Sequence, residues 1–381
     1  MKIIFNKLQT SKETIQVSLD GGTTWNSYVV SEIIEPGIPL DENQEYDKIH
    51  IKGSATVLKN LDVVKSIEIP ESNNTKDEMF THDGTSFYDN LVNVKIPEGF
   101  TSIGQFAFYH CTSLTSIDLP EGLTSISNYT FYNCTSLTSI KFPESLTSIG
   151  SNAFNSCTGL TSITLPESLT SIGTCAFSNC TSLTSITLPE GLTSIGQYAF
   201  RECTSLTSIE LPEGLTSISN YTFYNCTSLT SITLPESLTS IDNYAFQSCG
   251  LTSIDLPENL TSIGNYVFSD CTGLTSIDLP EGLTSIGNNT FSGCTSLASI
   301  DLPENLTSIS QYAFSGCTSL TSIDLPEGLT SIGNYVFSGC TSLKTINFKG
   351  TEDQWNAITK KINWNKSVHS DCQIVFNYVN E

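Results

Sequence analysis

Apolar residues return at the same places in every 23 residues. From Leu114 to Ser136 the apolar positions are Leu114, Ile117, Leu119, Leu123, Ile126, Phe131 and Cys134, and the pattern restarts at Leu137. Ile117 and Leu119 straddle Asp118, the period-2 alternation of a half-buried strand. Pro120 ends that strand, because proline cannot donate to a ladder. Leu123 to Ile126 reads as a second extended segment. Asn128 to Asn133 is expected to turn the chain as a short helical turn with Phe131 inward.

The prolines give the period. Pro97, Pro120, Pro143, Pro166, Pro189, Pro212, Pro235, Pro257, Pro280, Pro303 and Pro326 lie 23 apart, except that one residue is missing after Cys249. A fixed period of this size predicts a repeat solenoid, in which a coil cannot bury its own apolar side and its neighbours do so. Residues 61–348 are read as about twelve coils. Val64 to Ser72 matches the opening of a repeat, Asn73 to Gly84 is polar and reads as a loop, and Phe87 falls in the aromatic column.

The two ends differ. Residues 1–60 read as a small β-rich domain, a mount or cap: Thr14–Leu19 alternates, Asp20-Gly21-Gly22 turns, Trp25–Val30 returns, and Lys48–Lys52 alternates again. Residues 349–381 read as a C-terminal cap. Thr351 to Gln354 is a capping box, Trp355 and Ile358 share one helical face, Lys360 and Lys361 suit the negative end of the helix dipole, and Gln373–Phe376 is a closing strand. Such caps shield a core and a strand edge that the last coil would otherwise expose.

The pattern Leu-x-x-Ile-x-Leu-Pro-x-x-Leu-x-x-Ile-Gly-x-x-Ala-Phe-x-x-Cys, as in Leu183 to Cys203, resembles the BspA-like leucine-rich repeats over residues 64–348. The ending Gly350 to Ile358 is similar to the close common in that family. The resemblance implies a curved, right-handed leucine-rich-repeat coil with a parallel β-sheet on the concave face and short helical turns or extended segments opposite. It also implies surface proteins that attach to host proteins, matrix or other cells.

Charge narrows the partners. The net charge is −23, and between Glu98 and Leu343 the only basic residues are Lys141 and Arg201. Such a chain repels phosphate backbones and anionic membrane surfaces, so nucleic acid is not an expected partner. No stretch approaches the roughly 18–20 apolar residues of a membrane span, so no direct membrane insertion is expected. The apolar run after Lys2 is too short for a signal peptide. That leaves a cytosolic chain, a removed leader or unconventional export as readings.

Eleven of the 13 cysteines, Cys111 to Cys340, hold one repeat position; Cys175 and Cys372 stand apart. In-register side chains point the same way, so a column of small buried thiols is expected rather than a disulfide framework. No zinc spacing occurs. His50, His82, His110 and His369 sit in unlike contexts, and no nucleophile elbow or phosphate loop appears. No cofactor and no catalytic activity are expected.

Candidate binding residues are those by which the coils differ. The outward strand column reads Lys95, Asp118, Lys141, Thr164, Thr187, Glu210, Thr233, Asp255, Asp278, Asp301, Asp324, Asn347, with a glutamate column, Glu98 to Glu327, beside it. Lys141, Arg201, Glu210, Asp255, Asp278, Asp301 and Asp324 are taken as candidates. The acidic residues form either a solvated rim or a strip for basic partners or divalent cations, although no EF-hand or RTX loop is present. A tyrosine column, Tyr129, Tyr198, Tyr221, Tyr244, Tyr266, Tyr312 and Tyr335, either packs between coils or, with the preceding Asn or Gln, offers contact surface for protein or sugar. Thr115-Ser116 pairs put their hydroxyls on different faces, unlike the flat arrays of ice binders. Asn-x-Thr triplets such as Asn128 to Thr130 follow from repeat duplication.

These features predict non-enzymatic adhesion or recognition at a cell surface, through a protein partner such as a host-cell or matrix protein, or through a glycan. The alternatives are a virion display protein, with residues 1–60 assembling with themselves or on a larger particle, and an intracellular scaffold.

Overall fold

The computed structural model describes residues 91–96 and 100–377, and before them the backbone of seven short strands between residues 2 and 68. The Asn73–Gly84 loop and Phe87 lie outside the described residues, as does the side chain of Lys95. The protein is a parallel β-solenoid of about eleven turns with little helix. It divides into two compact units, Met1–Leu192 and Thr193–Glu381.

In the first unit the early strands build a sheet edge. Thr14–Ser18 pairs antiparallel with Asn26–Val29 and with Ile49–Lys52. Ile49–Lys52 then runs parallel to Ser66–Glu68, which runs parallel to Asn93–Lys95 and so to Ser116–Asp118. The non-repeat strands therefore continue the sheet of the repeats. A second ladder joins Ser102–Ile103, Ser125–Ile126, Ser148–Ile149 and Ser171–Ile172 in register.

The second unit has the same two ladders. Ser208–Glu210 pairs with Ser231–Thr233, and Ser322–Leu325 with Thr345–Phe348. On the other side, Ser217–Ile218, Ser240–Ile241 and Ser262–Ile263 stack, as do Ser285–Ile286, Ser308–Ile309 and Ser331–Ile332. The shortened coil after Cys249 is joined without a strand at Ser253–Asp255. Gly250 makes this possible, because a Cβ there would collide with the carbonyl oxygen of Thr227.

The third side of each coil differs from the helical turn expected from sequence. Asn128–Asn133 and its equivalents are consecutive turns. Tyr129, Phe131 and Asn133 send their N–H groups to the next coil's carbonyls at Ser151, Ala153 and Asn155, at 2.8–2.9 Å. Tyr132 and Cys134 bond back three residues within the coil. A helix would spend every N–H internally; here alternate ones are spent between coils. That alternation forces two residues per coil into the left-handed region, Tyr129 at φ 58° and Asn133 at φ 59° in this instance.

The turn carries the aromatic core. Phe108, Phe131, Phe154 and Phe177 stack at 5.1–5.4 Å in the first unit. Phe200 to Phe337 stack at 5.4–5.8 Å in the second. The isoleucine columns and most of the leucines are buried with them, whereas Leu119, Leu188, Leu234 and Leu256, each before a proline, are half-buried. Dispersion over such repeated contacts is collectively large.

The C-terminus closes the stack. The helix Glu352–Ala357 has Thr351 as N-cap, with the reciprocal bonds of a capping box. Lys360 donates to the carbonyls of Trp355 and Ile358 at the helix end, and its ammonium lies 4.6 Å from the Trp355 ring centre. Trp364 meets Phe337 edge-on at 6.1 Å and Trp355 at 5.7 Å, covering the last phenylalanine of the column. Gln373–Phe376 pairs with Thr345–Phe348.

Phe246→Ala is expected to destabilise the protein by about 3–5 kcal/mol, since it removes one ring from a packed column. Thermal unfolding checks this; a loss under about 1 kcal/mol would mean that the ring column does not hold the coils together.

Candidate binding surfaces

The strand column projects its outward side chains in register. Thr164 faces Thr187 in the first unit, and Glu210 faces Thr233 in the second. Asp278 bridges Asp301 in parallel, and Asp324 faces Asn347. Glu210, Asp255, Asp278, Asp301 and Asp324 thus share one column of the second unit, with only Thr233 uncharged among them. All are exposed except Asp324, which is half-buried and accepts a bond from Asn347 Nδ2 at 2.7 Å. Among the described residues, no basic group pairs with Asp255, Asp278 or Asp301.

The ladder weakens where the aspartates run. Thr164, Thr187, Glu210 and Thr233 belong to paired strands, whereas Asp255, Asp278 and Asp301 lie outside the named strands and keep one isolated bridge. The bridge that is kept joins Asp278 to Asp301, and like charges at such facing positions repel. The coil at Lys141 is also outside a strand, and there Phe142 replaces the usual leucine and meets Phe154 edge-on at 5.7 Å.

Of the other candidates, Lys141 holds the equivalent strand position in the first unit, whereas Arg201 does not belong to the strand column. Lys141 is exposed in the first unit, beside a small hollow lined by Asp118, Glu121 and Phe142. Arg201 sits on the turn side, pairs with Glu202 at 2.6 Å and lies 5.7 Å from the Tyr224 ring centre. Its charge is already met locally. Among the described residues, no group of three His, Cys, Asp or Glu is placed to hold a metal ion. No described helix is long and apolar enough to cross a membrane.

The cysteine column is made of thiols, with no disulfide. Along the column Sγ–H groups donate to a phenylalanine carbonyl one coil back, as Cys157 does to Phe131 at 3.0 Å and Cys294 to Phe268 at 3.1 Å. Burial pushes up the thiols of Cys134, Cys157, Cys226, Cys249, Cys294 and Cys317, and those of Cys271 and Cys340 to about 12. A thiol held there carries almost no thiolate at neutral pH and is inert. Threonine hydroxyls are likewise used between coils. Thr147 donates to Thr124 O at 3.0 Å, and Thr330 to Thr307 O at 2.9 Å. Asn128 of a glycosylation triplet holds the N–H of Ser151 at 2.7 Å, and the hydroxyl of Thr130 is buried on Ser127 O.

The tyrosines both pack and remain accessible. Tyr198, Tyr221, Tyr244 and Tyr266 stack at 4.5–4.7 Å with one part of each ring open to solvent. Tyr312 and Tyr335 stack at 5.1 Å. Between these groups the column position is held by Asn289, one of the residues lining an open hollow of ≈ 490 Å³ that runs from Tyr244 to Tyr312. Sequence reasoning passed over this residue; the signal for it is the one tyrosine missing from the column in the second unit, as Asn152 and Cys175 interrupt the same position in the first.

Comparison with known proteins accords with this architecture. The profile of the BspA type leucine rich repeat region matches six copies, over residues 85–203, 147–275 and 239–366. The chain belongs to the BspA type leucine-rich repeat family. It is similar to a leucine-rich repeat protein of Bacteroides ovatus, with 26% identity over 87% of this chain and 96% of that one, at a TM-score of 0.60. It is also similar to a leucine rich cell surface protein of Faecalibacterium prausnitzii, with 29% identity over 84% and 95%, at a TM-score of 0.52. A leucine-rich repeat protein of Eubacterium ventriosum shares the fold at 20% identity over 87% and 91%, with a TM-score of 0.51. No curated protein matches the chain significantly.

Two outcomes follow from the columns. A soluble thiol reagent should label only Cys175 and Cys372 in the native protein, the two cysteines that are not buried, and all 13 after denaturation. Rapid native labelling of more would contradict the inert column. Asp278→Ser with Asp301→Ser should stabilise the protein by about 0.2–1 kcal/mol, by relieving like-charge repulsion. The gain should shrink in high salt when followed by thermal unfolding.

Proposed function

We propose that this is a non-enzymatic recognition protein of an exposed cell surface, and that it holds a basic protein segment along Glu210, Asp255, Asp278, Asp301 and Asp324. The observation that carries this is an in-register run of exposed carboxylates, three of them with no basic partner among the described residues. A run of charge at a regular spacing of about 5 Å suits an extended partner whose lysines or arginines recur along its length. The steering is electrostatic, so association is expected to be fast and salt-dependent. Family membership supports a binding role, and the Faecalibacterium prausnitzii relative, described as a cell surface protein, supports the location.

The test uses the full chain with Asp255, Asp278 and Asp301 changed to serine, titrated with a decalysine peptide over a range of salt. Affinity should fall by about tenfold or more, with a flatter salt dependence. Unchanged affinity and slope would remove the strip as the binding site.

A further inference from the structure

We propose that the break in the tyrosine ladder at Asn289 is a binding slot for one neutral pyranose unit of a glycan. Successive rings of the ladder lie 4.5–5.1 Å apart and are nearly parallel. Asn289 carries no ring, so Tyr266 and Tyr312, two coils apart, bound an opening of about 9–10 Å. Aromatic faces stack on their partners at about 4.5–5 Å, so the opening takes one ring layer. A pyranose presents C–H groups on both faces, and these suit the electron-rich faces of two tyrosines.

The rest of the slot speaks for a polar, uncharged ring. Among the described residues, the coil positions beside the tyrosines form an amide relay. Asn243 Oδ1 accepts the Asn265 N–H at 2.7 Å, and Asn265 Oδ1 accepts the Asn288 N–H at 2.7 Å. The relay stops at Asn288. The side-chain amides of Asn288, Asn289 and Gln311 all line the cavity and make no hydrogen bond to the described protein. Each such amide offers two donors and an acceptor with two lone pairs, which matches the paired donor and acceptor character of sugar hydroxyls. A flat aromatic guest would leave them unmet. No charged residue lines the cavity, so a phosphate, a uronic acid or a basic side chain has no counter-charge there. The slot is one part of an open hollow of ≈ 490 Å³ that continues along Tyr244 and Asn243.

The slot can be filled by a substitution that the fold already accommodates. Asn289 sits at φ 55°, and Tyr244, Tyr266 and Tyr312 hold the same turn position at φ 62°, 60° and 58°. Asn289→Tyr therefore continues the ladder and closes the slot.

The test is saturation-transfer NMR on the full chain with the methyl glycosides of glucose, galactose, mannose and N-acetylglucosamine. At least one should bind with an affinity in the millimolar range, as expected for a single sugar ring, and the strongest transfer should fall on its ring protons. Asn289→Tyr should weaken that binding by at least about tenfold without lowering the thermal midpoint. The joint change of the exposed Asn288 and Gln311 to alanine should weaken it by a similar factor with the ladder intact. Absence of transfer from all four glycosides would overturn the proposal, and so would binding that survives both variants. The acidic strip is independent of this slot: Asn289→Tyr should leave decalysine binding unchanged, so failure of either reading is separable from the other.

Discussion

The protein depends on backbone hydrogen bonding between coils. Two short parallel ladders and the alternating N–H groups of the turn each reach a neighbour 22 or 23 residues away. Little of this is satisfied inside a single coil. A coil alone would leave its amides and its phenylalanine unpaired, so neither the polar nor the apolar requirement is met until coils stack. The turn conformation follows from the same need. Tyrosine at a positive φ is unfavourable in isolation, yet it recurs because that backbone geometry aims alternate N–H groups at the next coil.

Stacking puts each residue type against its own copy, and the consequence depends on chemistry. Phenylalanine on phenylalanine gains dispersion. Threonine on threonine lets each hydroxyl reach the carbonyl of the coil before it. Cysteine on cysteine is neutral, since each thiol is buried and turned to a carbonyl. Aspartate on aspartate is unfavourable, since like charges face each other at Asp278 and Asp301. A repeat array thus separates columns that stabilise from columns that must be tolerated. The tolerated column is the natural place to look for recognition.

A regular array is also informative where it is interrupted. The missing residue after Cys249 is absorbed by Gly250, an interruption with a purely steric answer. The missing tyrosine at Asn289 is different, because it leaves two ring faces and three amides around an open volume. Arg201 departs from its column as well, but its charge is spent on Glu202 and the Tyr224 ring.

The sequence by itself determined the repeat, its period, the inward columns, the two extended segments, the capping box at Thr351 and the closing strand at Gln373–Phe376. These are legible because periodicity reports which side chains must share a face, and capping reports which amides lack helical partners. It also marked the run Asp255 to Asp324 as unusual. Only the tertiary structure decided the form of the turn at Asn128–Asn133, since a helix and a chain of turns bury the same phenylalanine and differ only in where alternate N–H groups go. The structure alone showed that the charge of Arg201 is met by Glu202 and the Tyr224 ring. It likewise turned the substitution at Asn289 into a cavity, because a gap in a sequence column gains walls only when the residues two coils apart are brought face to face.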